Sequence, residues 1–206
     1  MLVNEFIKEV HNNSVAHGWW EEPRSDEWCI ALIHSELSEA LEEYRAGRPN
    51  VWYACEEAGN KLAICNPKDE TECFNYGREQ ACSHRGHKPE GIAVELIDAV
   101  IRIFDLFGYH GWKIGKDDTQ LSTLLSCGLH MEIFEKSFPE FICAMHGGLS
   151  TAASASDEEK RKRFLLFTAE TILACIEAQE AGSAEKLLRE KHEYNRTRPY
   201  KHGKVC

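Results

Sequence analysis

What the chain has little of narrows it first. No stretch approaches the roughly 20 consecutive apolar residues that a helix needs to cross a bilayer, so no membrane span is expected. Met1 to Ser14 carries Asn4, Glu5, Lys8 and Glu9 where a secretory leader needs an apolar run, so no signal peptide is expected either. Positive charge is short: 24 Lys and Arg stand against 34 Asp and Glu, for a net charge of -10. Phosphate backbones are gripped by clustered Lys and Arg, so stable nucleic-acid binding is not expected. A nucleotide remains open as a ligand if metal ions neutralise its phosphates. No segment shows convincing strand alternation. The nine cysteines include no CxxC pair.

What is present is helical. At 206 residues and 43% hydrophobic, the chain is long enough for one large domain or two small packed bundles. Leu2, Val3, Phe6, Ile7 and Val10 give a first amphipathic helix. Gly18, Pro23 and the pair Trp19-Trp20 form a loop. Ser25 reads as an N-cap with Asp26 and Glu27 in the positively polarised first turn, opening a helix that runs to about Ala46 and stops at Gly47 and Pro49. A third helix is expected from Ile92 to Phe107, closed by Gly108; it is apolar nearly all round, which marks it as central and buried. Further helices are expected over about Asp117 to Lys136, Pro139 to Ala153, Ser156 to Ala181 and Ser183 to Thr197, followed by a basic tail from Arg198. The expected architecture is an all-α helical bundle, read as a single domain over 1–206.

Between the second and third helices the composition shifts. Residues 48–89 are polar, poor in branched aliphatics, and carry Cys55, Cys65, Cys73 and Cys82. Structureless loops of this length are uncommon in compact domains, so something should tie the insertion down. Four thiolates suit tetrahedral zinc or an iron–sulfur cluster; four free cysteines in a loop are the competing reading. The remaining cysteines include Cys29, Cys143 and Cys175 inside apolar helical patterns. An odd total with such placement suggests reduced, buried thiols in a cytoplasmic protein rather than a secreted disulfide framework.

The chemistry lies in two carboxylate stripes. The third helix carries Glu95, Asp98, Arg102 and Asp105 on one narrow stripe, and the second places Glu36, Glu39 and Glu43 on another. Carboxylates on a mostly buried helix repel one another and are costly to desolvate. A divalent cation offsets both penalties, and oxygen-only ligands select magnesium or manganese over zinc. The competing reading is a solvated polar face, with Arg102 paired to Asp98 one turn away. A carboxylate-bridged di-iron bundle is disfavoured because no Glu-x-x-His occurs.

Glu36-Leu37-Ser38-Glu39 followed by Glu95-Leu96-Ile97-Asp98 forms an ExxE…ExxD pair. Together with Lys88-Pro89-Glu90-Gly91 and the stretch from Lys191 through Tyr194, Asn195 and Arg198 to Lys204, it resembles the MazG-like all-α NTP pyrophosphohydrolases. The likeness covers about Gly18 to Gly47, Lys88 to Gly111 and Ser183 to Lys204. The chain departs from the pattern in the long spacing between its carboxylate pairs and in the single glycine before Lys204, where related tails often have two. The resemblance implies that Glu36, Glu39, Glu95 and Asp98 hold magnesium (or manganese) and that an NTP or dNTP is cut to the monophosphate and pyrophosphate. Glu36 or Glu39 would accept the proton of the attacking water, and Lys191, Asn195, Lys201 and His202 would meet the phosphates. It also implies a homo-oligomer. The alternative is a non-catalytic nucleotide- or partner-binding module on the same scaffold.

Two minor expectations remain. Trp19, Trp20 and Trp28 offer faces on which a base could stack, although at least two of them are expected in the core. His130-Met131-Glu132-Ile133-Phe134-Glu135 echoes the segment from His34, and Ala169-Glu170 echoes Val94-Glu95. Residues 113–206 therefore read either as a degenerate second bundle half or as coincidence among Glu-rich helices.

Overall fold

Helix ends along the chain follow from local side-chain chemistry. The computed structural model describes residues 1–54, 88–127, 136–179 and 183–203, with seven α-helices and two short strands among them. Helix α1 is Val3–Ala16 and α2 is Asp26–Arg45. The Ser25 hydroxyl accepts from the Trp28 backbone N–H at 3.2 Å, satisfying one of the free donors at the start of α2. Helix α3 is Ile92–His110, α4 is Leu121–Cys127, α5 is Phe138–Ala153, α6 is Glu158–Ala178 and α7 is Ala184–Arg196. Ser137 and Glu140 form a reciprocal capping box at the head of α5, and Asp157 accepts from the Lys160 N–H at the head of α6.

Helix α3 is the centre. It packs against α1, α2, α6 and α7, and Ile97, Val100, Ile103, Phe104 and Phe107 have no exposed surface. Burying side chains of this size contributes about 1.5–3 kcal/mol each. The pair α5–α6 packs on the pair α2–α3, so the chain forms a helical bundle with α3 inside. Asn4 stitches α1 to the connection after α3: its Nδ2 donates to the carbonyls of Ile114 (3.0 Å) and Lys116 (2.8 Å), and its Oδ1 accepts from the Ile114 N–H (2.9 Å). A buried amide is tolerated because each of its groups is paired. Where α2 meets α5, the rings of His34 and His146 stack at 5.0 Å with their Nδ1 atoms 2.7 Å apart.

Several sequence expectations are corrected. Gly108 does not close α3: a Cβ there would lie 2.4 Å from the Cβ of His11, so the glycine admits α1 to close approach. The helix ends two residues later, at His110, where Gly111 takes φ +65°. Two strands exist where none was expected. Trp52–Ala54 (β1) pairs antiparallel with Lys88–Glu90 (β2), closing the mouth of the insertion. Three-residue strands are too short for a period-2 pattern to show in sequence. Gly91, at φ +110°, follows β2; a Cβ there would lie 2.7 Å from the Pro49 carbonyl, which reserves the position for glycine. The helix expected from Asp117 begins only at Leu121. Cys175 is buried and Cys29 half-buried, but Cys143 is exposed on the outer side of α5, contrary to expectation. Cys55, Cys65, Cys73, Cys82 and the His130–Glu135 echo lie outside the described residues. No helix of the described residues is long and apolar enough to cross a membrane.

Candidate metal and anion site

The two carboxylate stripes face each other across one cavity of about 440 Å³. Helix α2 supplies Glu36 and Glu39, and α3 supplies Glu95, Asp98, Arg102 and Asp105. One carboxylate oxygen from each of Glu36, Glu39 and Glu95 falls within 4.8 Å of the others, a spacing suited to a shared cation. Glu36 is 5% exposed and Glu95 6%, whereas Glu39 is exposed.

Burial sets the electrostatics. Withdrawal from water pushes the Glu95 carboxyl up to about 8, helped by the Asp98 charge and opposed by Lys191. Burial also raises the Glu36 carboxyl, while Arg102 pulls it back. Two cations sit among the carboxylates. Arg102 Nε donates to Glu36 Oε1 at 2.5 Å, and Lys191 Nζ lies 3.0 Å from Asp98 Oδ2 while also donating to the Pro89 carbonyl at 3.3 Å. Lys191 is 2% exposed, so its ordinary reading as a solvated lysine is excluded. One turn further along α7, Asn195 lines the same cavity at 9% exposure, and its Oδ1 has no hydrogen-bond partner among the described residues. An unpaired buried polar atom costs about 1–3 kcal/mol.

The other wall is aromatic. Trp20 stacks on Tyr109 at 4.1 Å and donates from Nε1 to Asp105 Oδ1 at 2.9 Å; His11 Nδ1 lies 2.7 Å from the same oxygen. The Arg24 guanidinium rests 3.9 Å from the Trp28 ring centre and 5.5 Å from that of Trp19. All three tryptophans are half-buried and line the cavity, so the expectation that two of them belong to the core does not hold. Trp19 and Trp20 lie in the loop between α1 and α2, and Trp28 lies in the first turn of α2.

Of the residues singled out from the sequence, Glu36, Glu39, Glu95, Asp98, Lys191 and Asn195 all line this cavity. Asp98 stands beside the Glu36–Glu39–Glu95 group with its carboxylate held by Lys191. Lys201 is not on the cavity. It lies 3.7 Å from Glu21 in the 3-10 turn Tyr200–Gly203, whose Tyr200 hydroxyl donates to the same glutamate. Arg198 is the tail residue that reaches the cavity lining. The side chain of His202 lies outside the described part. Glu43 accepts from Trp52 Nε1 at 2.8 Å, tying β1 to α2. Glu170, on α6, is half-buried and its carboxyl is raised by burial; it is not part of the cavity. Sequence reasoning missed the Arg102–Glu36 pair because an i+4 partner, Asp98, was at hand on the same helix. It also missed Trp20–Asp105, whose partners are 85 residues apart. No protein-family model, curated protein or solved structure matches this chain.

Proposed function

We propose that the chain is a magnesium-dependent nucleotide pyrophosphohydrolase, converting an NTP or dNTP to the monophosphate and pyrophosphate. The observation that carries this reading is the convergence of Glu36, Glu39 and Glu95 on one cavity, beside Asp98 and the buried Asn195, whose Oδ1 has no partner among the described residues. The donor set suits a hard cation: it is oxygen-only and largely buried. Glu36, Glu39, Glu95 and Asp98 are the residues that would hold Mg²⁺ or Mn²⁺. Such an ion supplies charge against the phosphates and makes water more acidic.

The chain's own groups divide the remaining work. Lys191, withdrawn from solvent, presents a fixed positive charge toward the triphosphate, and Asn195 offers an amide one turn away. Glu36 or Glu39 would accept the proton of an attacking water, and Glu39 is the more exposed of the two. Water adds at the α-phosphorus, the bond from that phosphorus to the bridging oxygen breaks, and pyrophosphate leaves with the electron pair. The aromatic wall of Trp19, Trp20 and Trp28 supplies flat apolar surface for a base. The resemblance in the ExxE…ExxD pair and the C-terminal stretch points the same way.

The test is product analysis over a panel of NTPs and dNTPs with magnesium, beside Glu95→Ala. Monophosphate plus pyrophosphate, dependent on magnesium and lost in the variant, is the expected result. A folded, magnesium-replete chain that turns over no nucleotide defeats the reading and leaves a binding module in its place.

A further inference from the structure

Arg102 is the cavity residue whose present partner least explains its position. It rises from α3 on the same stripe as Glu95 and Asp98, yet it reaches across to Glu36 on α2 through Nε alone. Among the described residues, neither of its terminal nitrogens has a hydrogen-bond acceptor. Its side chain keeps 32% of its surface exposed, on the cavity, while the Glu36 side chain beneath it keeps 7%. A guanidinium carries five N–H donors and does not lose its charge in proteins. Here one donor is engaged by protein, and the side chain lines the cavity within the field of Asp98 and Asp105. The planar fork of a guanidinium matches two oxygens of a phosphate, a match a point charge lacks.

We propose that Arg102 is an exchangeable counter-ion. Its guanidinium neutralises Glu36 while the carboxylate site is free of metal, and it turns to a phosphate oxygen of the substrate once Glu36 is engaged by a divalent cation. This inference rests on the metal-dependent reading above and adds a phosphate-binding residue to it. The charges support the exchange. Of the five cations that line the cavity, Arg24, Lys88, Arg102, Lys191 and Arg198, the two ion-paired to Glu36, Glu39, Glu95 or Asp98 among the described residues are Arg102 and Lys191, and Lys191 is committed to Asp98 and the Pro89 carbonyl from a buried position. Arg102, with more exposure and a single engaged nitrogen, is the cation able to move. A divalent ion that takes Glu36 has to compete with it, so Arg102 weakens metal binding and strengthens binding of the phosphate that follows. A residue serving only to hold Glu36 in place would do the opposite, because its loss would loosen the ligand and weaken metal binding.

The test compares wild type, Arg102→Met and Arg102→Lys in two binding measurements. Mn²⁺ affinity is read by electron paramagnetic resonance, and affinity for the magnesium–pyrophosphate complex by calorimetry. Arg102→Met is expected to bind Mn²⁺ roughly tenfold tighter and magnesium pyrophosphate at least roughly tenfold weaker. Arg102→Lys keeps the charge and loses the fork, so its Mn²⁺ affinity should stay within about threefold of wild type while pyrophosphate binding still weakens. It serves as the deciding variant if Arg102→Met does not fold. Unchanged or weaker Mn²⁺ binding in folded Arg102→Met overturns the exchange, as does pyrophosphate binding by Arg102→Lys equal to wild type. A wild-type chain that takes up no Mn²⁺ defeats the metal-site reading itself, which separates that failure from this one.

Discussion

Lys191 Nζ, on the last helix, lies 3.0 Å from the Asp98 carboxylate of the central helix, and the lysine is withdrawn from solvent. The C-terminal helix therefore supplies a cation that a carboxylate-bearing central helix requires, from 93 positions further along the chain (191 minus 98). Burial alone would lower the lysine's pKa, but the neighbouring charges of Asp98 and Glu95 outweigh it and hold the ammonium protonated. Breaking a buried pair by removing one partner strands the other charge and typically costs about 3–5 kcal/mol. Asp98 keeps 19% of its side-chain surface exposed, which places this pair at the lower end of that range. Lys191→Met is expected to destabilise the metal-free protein by about 3 kcal/mol, measured by urea unfolding. Added Mg²⁺ should recover part of the loss by replacing the missing charge, and no recovery would count against a cation site beside Asp98.

Glu95 predicts how stability depends on pH. Its folded pKa is raised from 4.5 to about 8, first by burial and then by Asp98. Between those values the folded state holds a proton that the unfolded state has released, so the metal-free protein should lose stability as pH rises from about 4.5 through about 8. Glu95→Gln removes the titrating proton and should flatten the dependence of the melting temperature over that window. A slope unchanged in the variant would assign the effect to other groups. Magnesium competes with the proton for the same oxygens, so its stabilising effect should grow toward the alkaline end of the window.

The stacked pair His34–His146 predicts a slope of the opposite sign at lower pH. Their Nδ1 atoms are 2.7 Å apart, so one ring must donate and the other accept, which requires at least one neutral ring. Burial lowers both pKa values, and for His146 the nearby His34 adds to the effect. A histidine with a depressed folded pKa contributes stability that is complete above the unfolded value and lost as pH falls below it. The pair's own contribution should therefore be lost as pH drops below about 6.5, opposing the Glu95 contribution where the two windows overlap. His146→Asn is expected to lessen that loss, read from melting temperatures between pH 5 and pH 7. An equally steep decline in the variant would remove the pair as its source.

Much of the fold was legible because helices announce themselves locally. The apolar face of α1, the Ser25 cap of α2 and the nearly unbroken apolar run of α3 are short-range patterns set by a 3.6-residue period and a handful of end groups. The same period placed Glu36 with Glu39, and Glu95 with Asp98, on single faces. Misreadings arose where a residue's role depended on a distant neighbour. Gly108 reads as a helix stop until α1 is seen pressed against it. The strands β1 and β2 exist because they pair with each other across the insertion. Arg102 has an obvious partner one turn away in sequence, and only the packing of α2 against α3 gives it Glu36 instead.

The sequence by itself determined that the chain is helical, that its carboxylates lie in stripes, and that negative charge outnumbers positive. These properties depend on periodicity and composition, and they hold before any contact forms. The tertiary structure alone decided which carboxylates converge, that Asp98 is held by Lys191, that the tryptophans form a wall rather than a core, and that Asn195 Oδ1 has no partner among the described residues. Each of these depends on the distance between residues far apart in sequence. Such distances are fixed by how buried faces pack, and helical periodicity carries no information about which face will meet which.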